Sequence, residues 1–367
     1  MNDLFQFADD LGPRQIITIY QPRLNLRAFL VVDNIATGPA VGGCRMAADA
    51  TLEECFRLAR TMTFKNAAAG LPHGGAKSVI IADPKMAADA KQTLVRAFAQ
   101  AIRDVRDYIP GPDMGLSESA MGWIYDETGR AVGLPRELGG IPLDEIGATG
   151  FGIAIAAEVA QDFCAVRIKG ARVAIQGYGA VGRHAARCLA ERGAILVAAS
   201  DSAGAVMNSD GLDVAALTKF KLGGATVAEF SGGKRIERDA IFGVDCDILI
   251  PAARPDVINR GNVNSIRARL IVEGANIPIA TDADALLAAR GILSIPDFIA
   301  NAGGVICAAV EYHGGTQTSA FQTIEEKIRD NTRAVLETMR RRKILPRAAA
   351  FELARERVVT AMRYRRF

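Results

Sequence analysis

The chain has little of what marks several common protein classes. Histidine is scarce at three in 367 residues, and the six cysteines (Cys44, Cys55, Cys164, Cys188, Cys246, Cys307) are scattered with no CxxC pair. That spacing excludes a zinc-ribbon site or a disulfide framework, and it predicts no metal and reduced, mostly buried thiols in a reducing compartment. Charge of one sign is not in excess, since the formal net charge is +3, so there is no electrostatic case for nucleic acid. The basic end "MRYRRF" reads as a solvated helix terminus. No apolar run approaches a membrane span, and "MNDLFQFADDLG" lacks the basic-then-apolar pattern of a signal peptide. The expectation is a cytoplasmic protein without membrane or nucleic-acid partners. Internal repeats and low-complexity segments are also absent.

What is present is apolar residue and glycine: half the chain is hydrophobic and 36 residues are Gly. Such a composition at this length suits a two-domain α/β protein. "RQIITIY" and "LRAFLVVDN" read as a hairpin opening a mixed sheet. "DATLEECFRLARTMTFKNAAAG" reads as a helix, with Thr51 and Glu54 as a capping box and Gly70 and Pro72 as its stop. "AKSVIIADP" is a strand, "AADAKQTLVRAFAQAIRDVRDYI" a long amphipathic helix broken by "GPDMGLSES", and "SAMGWIYDETGRAVG" another helix. A Gly/Pro-rich connection places a boundary near residue 145. Beyond it the helix "GFGIAIAAEVAQDF" precedes strands "ARVAIQ", "AILVAAS", "DCDILIP", "ARLIVEG" and "GILSIP". Strands separated by helices, with no two-residue turns between them, predict a parallel doubly wound sheet. The expected division is 1–145, 146–320 and a helical segment 321–367 able to pack back on the first domain.

"ARVAIQGYGAVGRHAARCLAERGAILVAASD" carries the strongest local signal. A bare GxGxxG is weak, but here Gly177, Gly179 and Gly182 lie between a strand and a helix, and a second strand ends at Asp201. The glycines allow a tight turn, close approach of a pyrophosphate and helix-on-strand packing, with the helix N-terminus facing the phosphates. Tyr178, Ala180 and Val181 complete the turn, and Ala252 follows the strand "DCDILIP". An acid at Asp201 would bond both ribose hydroxyls and repel a 2′-phosphate, favouring NAD; the alternative is that it only caps the turn "DSAG".

Two lysines stand in the otherwise apolar "FKNAAAGLPHGGAKSV". Lys65 lies at the edge of the apolar stripe of Leu58, Met62 and Ala69, where it could bind a ligand or snorkel. Lys77 enters an apolar strand directly, where a charge is costly and a lysine becomes a usable general base. Asp113 in "GPDMG" could be its partner or could cap a turn.

Seven motifs, "GPAVGGCRM", "MTFKNAAAGLPHGGAK", "IPGPDMG", "GATGFG", "QGYGAVG", "VEGANIP" and "IPDFIANAGGV", occur in the order and spacing of the amino-acid dehydrogenase family that includes glutamate, leucine, valine and phenylalanine dehydrogenases. The chain resembles that family from about residue 30 to 315. The resemblance implies a substrate-binding first domain, a Rossmann-type second domain, a catalytic cleft between them, and a homo-oligomer. It also implies oxidative deamination of an L-amino acid to a 2-oxo acid and ammonia. It makes Lys65 the ligand of the substrate carboxylate, Lys77 the general base and Asp113 its proton-transfer partner. Gly42 and Gly43 would approach the carboxylate through backbone, Thr149 and Asn276 would touch the nicotinamide, and Asn301 would sit near the substrate amino group or the cofactor ribose.

Several motifs look most like glutamate dehydrogenase, but two pocket positions do not. Val41 stands where the glutamate enzymes carry a lysine, and Ala308 where they carry a serine. A buried carboxylate lacking both partners would cost several kcal/mol, so an apolar side chain is expected, in a pocket lined by Val41, Met62, Gly111, Val305 and Ala308. His73 in "LPHGGAK" departs from the bulky residue expected there and reads as packing. Glutamate dehydrogenase with an unusual pocket, and a NAD-binding regulatory protein without catalysis, remain as alternatives.

Overall fold

A computed structural model of the chain describes residues 4–365; the first three residues and the last two of "MRYRRF" lie outside them. The chain divides into two compact units. One comprises residues 1–142, 305–320 and 351–367, the other 143–304 and 321–350. The helical tail is shared between the units, and residues 305–320 fall in the first.

The first unit is built on a five-stranded mixed sheet, with strands β1 (Gln15–Gln21), β2 (Leu26–Asn34), β3 (Ala40–Ala47), β4 (Gly74–Ile81) and β5 (Tyr108–Pro112) in the order β1-β2-β4-β3-β5. The β1–β2 hairpin is antiparallel, as is β2 with β4, whereas β3 runs parallel to both β4 and β5. Helix Leu52–Ala68 is capped by Thr51, whose hydroxyl accepts from the Glu54 amide. The reciprocal half of the capping box is replaced, because the Glu54 side chain turns to Arg45. Helix Ala88–Ala101 is shorter than its amphipathic pattern suggests. The chain leaves it through turns at 102–107, and "YIPGP" is β5, not helix. Both unexpected strands, β3 and β5, carry Gly or Pro, and both hold candidate residues, Val41, Gly42 and Gly43 on β3 and Gly111 on β5.

The second unit holds β6 (Arg172–Gln176), β7 (Ile195–Asp201), β8 (Gly204–Met207), β9 (Lys234–Ile236), β10 (Ile248–Pro251), β11 (Leu270–Val272) and β12 (Leu293–Ile295), ordered β12-β11-β10-β6-β7-β8-β9. The five strands read from sequence are parallel to one another. Two more, β8 and β9, extend the sheet antiparallel. A two-residue turn at Ser202–Ala203 joins β7 to β8, whereas none joins the five parallel strands to one another. The order reverses at β6, which is where a doubly wound sheet binds its ligand. No helix among the described residues is long and apolar enough to cross a membrane.

Candidate functional site

Lys77 lies on β4 with 5 % of its surface exposed. Its Nζ is 2.5 Å from Asp113 Oδ2, a charge-assisted contact across the sheet. Asp113 follows β5 directly, and β3, between the two strands, supplies the reason they can meet. A Cβ on Gly43 would come within 2.8 Å of Asp113 Cβ and 2.9 Å of Lys77 Nζ. Gly43 is therefore the space the pair occupies. Gly42 serves the sheet itself: its missing Cβ is filled by the Ala76 carbonyl at 1.6 Å, and its own carbonyl accepts from Tyr108 Oη. Asn66 donates to the carbonyls of Val41 and Gly74, which ties helix Leu52–Ala68 to both strands one residue after half-buried Lys65.

Arg45 is the member that sequence reasoning missed. Its Nε donates to the same Asp113 Oδ2 at 3.0 Å, and its Nη1 meets Glu54. Asp113 is thereby held below the usual carboxylate range: burial opposes the shift, and Lys77 and Arg45 drive it. The signal was available, since Arg45 sits two residues beyond Gly43 on a strand and so shares its face. Cys44, beside them, is fully buried, and burial pushes its thiol up to about 12. It is inert as a nucleophile.

Val41 and Ala308 pack together with Ile109 and Val132 in one buried apolar cluster. Gly111 opens toward the same group, since a Cβ there would meet Val132 Cγ2 at 3.0 Å. Met62 and Val305 are half-buried and lie outside that cluster, in which Ile109 and Val132 stand beside the two expected residues. His73 is buried, with Nδ1 on the Pro39 carbonyl and Nε2 3.2 Å from His313 Nε2, in keeping with a packing role.

In the second unit the three glycines have distinct settings. Gly177 has φ +97° and would collide with Ala253 if it bore a side chain, and Gly182 lies against the Gly177 carbonyl. At Gly179 a Cβ would meet nothing within 4 Å, and that residue opens helix Ala180–Ala190 with no side-chain cap. This leaves room and unsatisfied N–H groups for a pyrophosphate, so the residues present fit a dinucleotide. The ring of Tyr178 is buried and its hydroxyl pairs with Thr218, while its backbone N–H donates to the Ser200 carbonyl. Ala180 and Val181 form the helix's first turn. A cavity of about 400 Å³ is lined by Gly177, Tyr178, Gly179, Asp201, Lys221 and Ala252, among others. Asp201 is already engaged there, by Lys221 Nζ at 2.5 Å and the Val227 amide, and these contacts lower its pKa against the cost of burial.

Asn276 and Asn301, set by the loops after β11 and β12, meet: Asn301 Nδ2 donates to Asn276 Oδ1 at 3.0 Å. The Asn301 Oδ1 is buried with no partner among the described residues. Thr149 Oγ1 would lie 3.2 Å from a Cβ on Gly304, so the "GATG" and "NAGG" turns face one another.

Residues 139–366 match the family described as Glutamate/Leucine/Phenylalanine/Valine dehydrogenase, and residues 19–130 match its Glu/Leu/Phe/Val dehydrogenase dimerisation domain. The chain belongs to this family. It is an amino-acid dehydrogenase with a Rossmann-type nicotinamide-binding fold. The chain is 38 % identical to a protein named glutamate dehydrogenase from Aeropyrum pernix (90 % of this chain, 85 % of that one). It is equally similar, at 38 %, to one named NADP-specific glutamate dehydrogenase from Saccharolobus shibatae (90 % and 83 %). Among solved structures, the hetero-hexameric glutamate dehydrogenase of Thermus thermophilus in its Leu-bound form aligns with TM-score 0.85 at 29 % identity (97 % and 90 % covered). The L-tryptophan dehydrogenase of Nostoc punctiforme aligns at 0.76 and 28 % (98 % and 99 %).

Proposed function

We propose that this amino-acid dehydrogenase oxidatively deaminates an apolar L-amino acid, branched-chain or aromatic, to its 2-oxo acid and ammonia, and runs the reverse reductive amination, with NAD as cofactor in a cytoplasmic homo-oligomer. The observation that carries the substrate class is the wall of Val41, Ile109, Val132 and Ala308, which offers no cation or hydroxyl to a side-chain carboxylate. Burying that carboxylate unpaired costs several kcal/mol, more than shape can recover. A second reading, glutamate as substrate, is favoured by the names of the relatives at 38 % identity. Overall identity samples the whole chain, whereas substrate choice depends on a few wall positions.

When bound, the nicotinamide supplies an acceptor for the hydride of the substrate α-carbon. Lys65 holds the α-carboxylate. Lys77 activates the water that adds to the resulting iminium of the substrate, and Asp113 receives and returns the proton as the carbinolamine loses ammonia. The short contact between Nζ and Oδ2 supports this division, since a proton can pass along it without either side chain moving. Asp201 favours NAD by occupying the ribose end with a carboxylate. Oligomerisation rests on the dimerisation-domain match and the hexameric neighbour.

The test is NADH formation across the twenty amino acids at alkaline pH, repeated with NADP. Turnover with leucine, phenylalanine or tryptophan at least tenfold above glutamate is expected. Activity confined to glutamate refutes the wall argument, and silence throughout refutes catalysis.

A further inference from the structure

The ion pair of Lys77 and Asp113 is not the whole of the charged group on this sheet. Arg45 Nε shares Asp113 Oδ2 with Lys77, at 3.0 Å against 2.5 Å, and the far side of the guanidinium is taken by Glu54. Glu54 occupies the helix position from which a glutamate ordinarily closes a capping box on Thr51; its amide keeps that bond, but its carboxylate is spent on Arg45. A local cap has been given up for a contact in the site.

We propose that Arg45, clamped by Glu54, is a positioning residue that fixes the Asp113 carboxylate and sets its proton affinity through the catalytic cycle. The proposal rests on the assignment of Lys77 and Asp113 to proton transfer. Lys77 has to exchange its proton during turnover, so its charge on Asp113 comes and goes. Arginine stays charged at every working pH, and its planar fork restrains direction as well as distance. With Arg45 in place, Asp113 keeps one cation and one fixed oxygen when Lys77 is neutral. Glu54 limits the effect: the four groups Lys77, Arg45, Asp113 and Glu54 sum to zero charge when all are ionised, and without Glu54 the arginine would bind the proton-transfer carboxylate too strongly to let it accept a proton. The other titratable neighbours, Cys44 on β3, Cys55 on helix Leu52–Ala68 and Tyr108 on β5, are fully buried and pushed upward, so they stay neutral over the working range.

The experiment measures kcat from pH 6 to 11 for wild type, Arg45→Gln, Arg45→Lys and Glu54→Gln, with the best substrate of the amino-acid panel, alongside NADH affinity and the thermal midpoint of each protein. Removing the cation raises the proton affinity of Asp113. Arg45→Gln therefore lowers kcat about tenfold or more, leaves NADH affinity unchanged and moves the acid limb to higher pH by about one unit. Glu54→Gln moves the limb to lower pH. Arg45→Lys keeps the charge and so the limb, while losing part of kcat for want of the fork. Limbs that coincide with wild type in both neutral variants, or that move in the same direction, overturn the proposal and leave Arg45 a strut between strand and helix. Should Arg45→Gln not fold, the Glu54→Gln limb decides alone. A wild type silent on every amino acid would instead sink the functional assignment itself, a distinct result.

Discussion

Under the proposed function, single residues decide which substrate enters, and the proposal puts most of the weight on Val41. It is 6 % exposed, and Ala308, its neighbour in the cluster, is 7 % exposed, so a polar group at either position would be desolvated and would need a partner. A substrate carboxylate could be that partner. The double variant Val41→Lys, Ala308→Ser should therefore raise kcat/KM for glutamate at least tenfold, because the introduced ammonium and the side-chain carboxylate solve one another's desolvation. The same change should lower kcat/KM for apolar substrates by a comparable factor, since in their complexes the new lysine stays buried and unpaired. Steady-state kinetics with glutamate and leucine on both proteins check this. A variant that loses apolar activity without gaining glutamate would show that the carboxylate site lies elsewhere. Gly43 illustrates the same scale differently: its role is the volume it leaves to two other side chains, which no reading of glycine as a backbone-approach point alone anticipates.

At the scale of elements, the loops that follow β11 and β12 depend on one arginine. Arg347 Nη2 is 2.5 Å from Glu273 and its Nη1 is 2.9 Å from Asp297. Asp297 in turn accepts from the amide of Ile277, a β-branched residue at φ +49°, where such side chains are strained. The loop bearing Asn276 is thus held in an unfavourable shape by a buried ion cluster. Arg347→Met should destabilise by about 3–5 kcal/mol, the cost of leaving the buried Asp297 without its cation and the Glu273 carboxyl without its donor, and should weaken NADH binding through the slackened loop. Urea unfolding and NADH fluorescence titration measure the two effects, and a midpoint within error of wild type would rule out the dependence. The same scale shows what the sequence made legible. The five parallel strands and the glycine turn follow from alternation and spacing, whereas the pairing of Lys77 with Asp113 came only with the family resemblance, the residues alone leaving Asp113 open as a turn cap. β3 and β5 were not legible, because Gly42, Gly43, Pro110 and Pro112 lower strand propensity, and only pairing with β4 makes β3 a strand and only pairing with β3 makes β5 one. Arg347 was silent for the same reason: its partners lie about 50 and 74 residues away in the chain, and no local pattern announces them.

Over the whole molecule, the carboxylates divide into two groups whose titrations pull stability in opposite directions. Asp9 and Asp113 in the first unit, and Glu158 and Asp201 in the second, are lowered, each with cationic or backbone donors working against burial. A lowered folded value means the unfolded chain binds protons first on acidification, so their contribution is complete above the ordinary carboxylate range and is lost as pH falls through the folded values. Glu273 behaves in the reverse sense. It is 1 % exposed with Oε1 unpartnered among the described residues, and burial outweighs Arg347 in pushing it up to about 8. Between the usual glutamate value and that one, the folded protein keeps a proton that the unfolded chain has released, so stability declines as pH rises across the interval. The denaturation midpoint in urea should therefore peak near pH 5, falling steeply below about 4 and more gently toward 8. Glu273→Gln keeps the shape and a hydrogen-bonding side chain but cannot titrate. In that variant the gentle decline above pH 5 should become shallower while the acid limb stays where it was, the remainder coming from Asp33 and Glu311, whose carboxyls burial also pushes up. An unchanged decline would assign the alkaline slope to other groups and would place Glu273 among the ionised acids that Arg347 fully compensates.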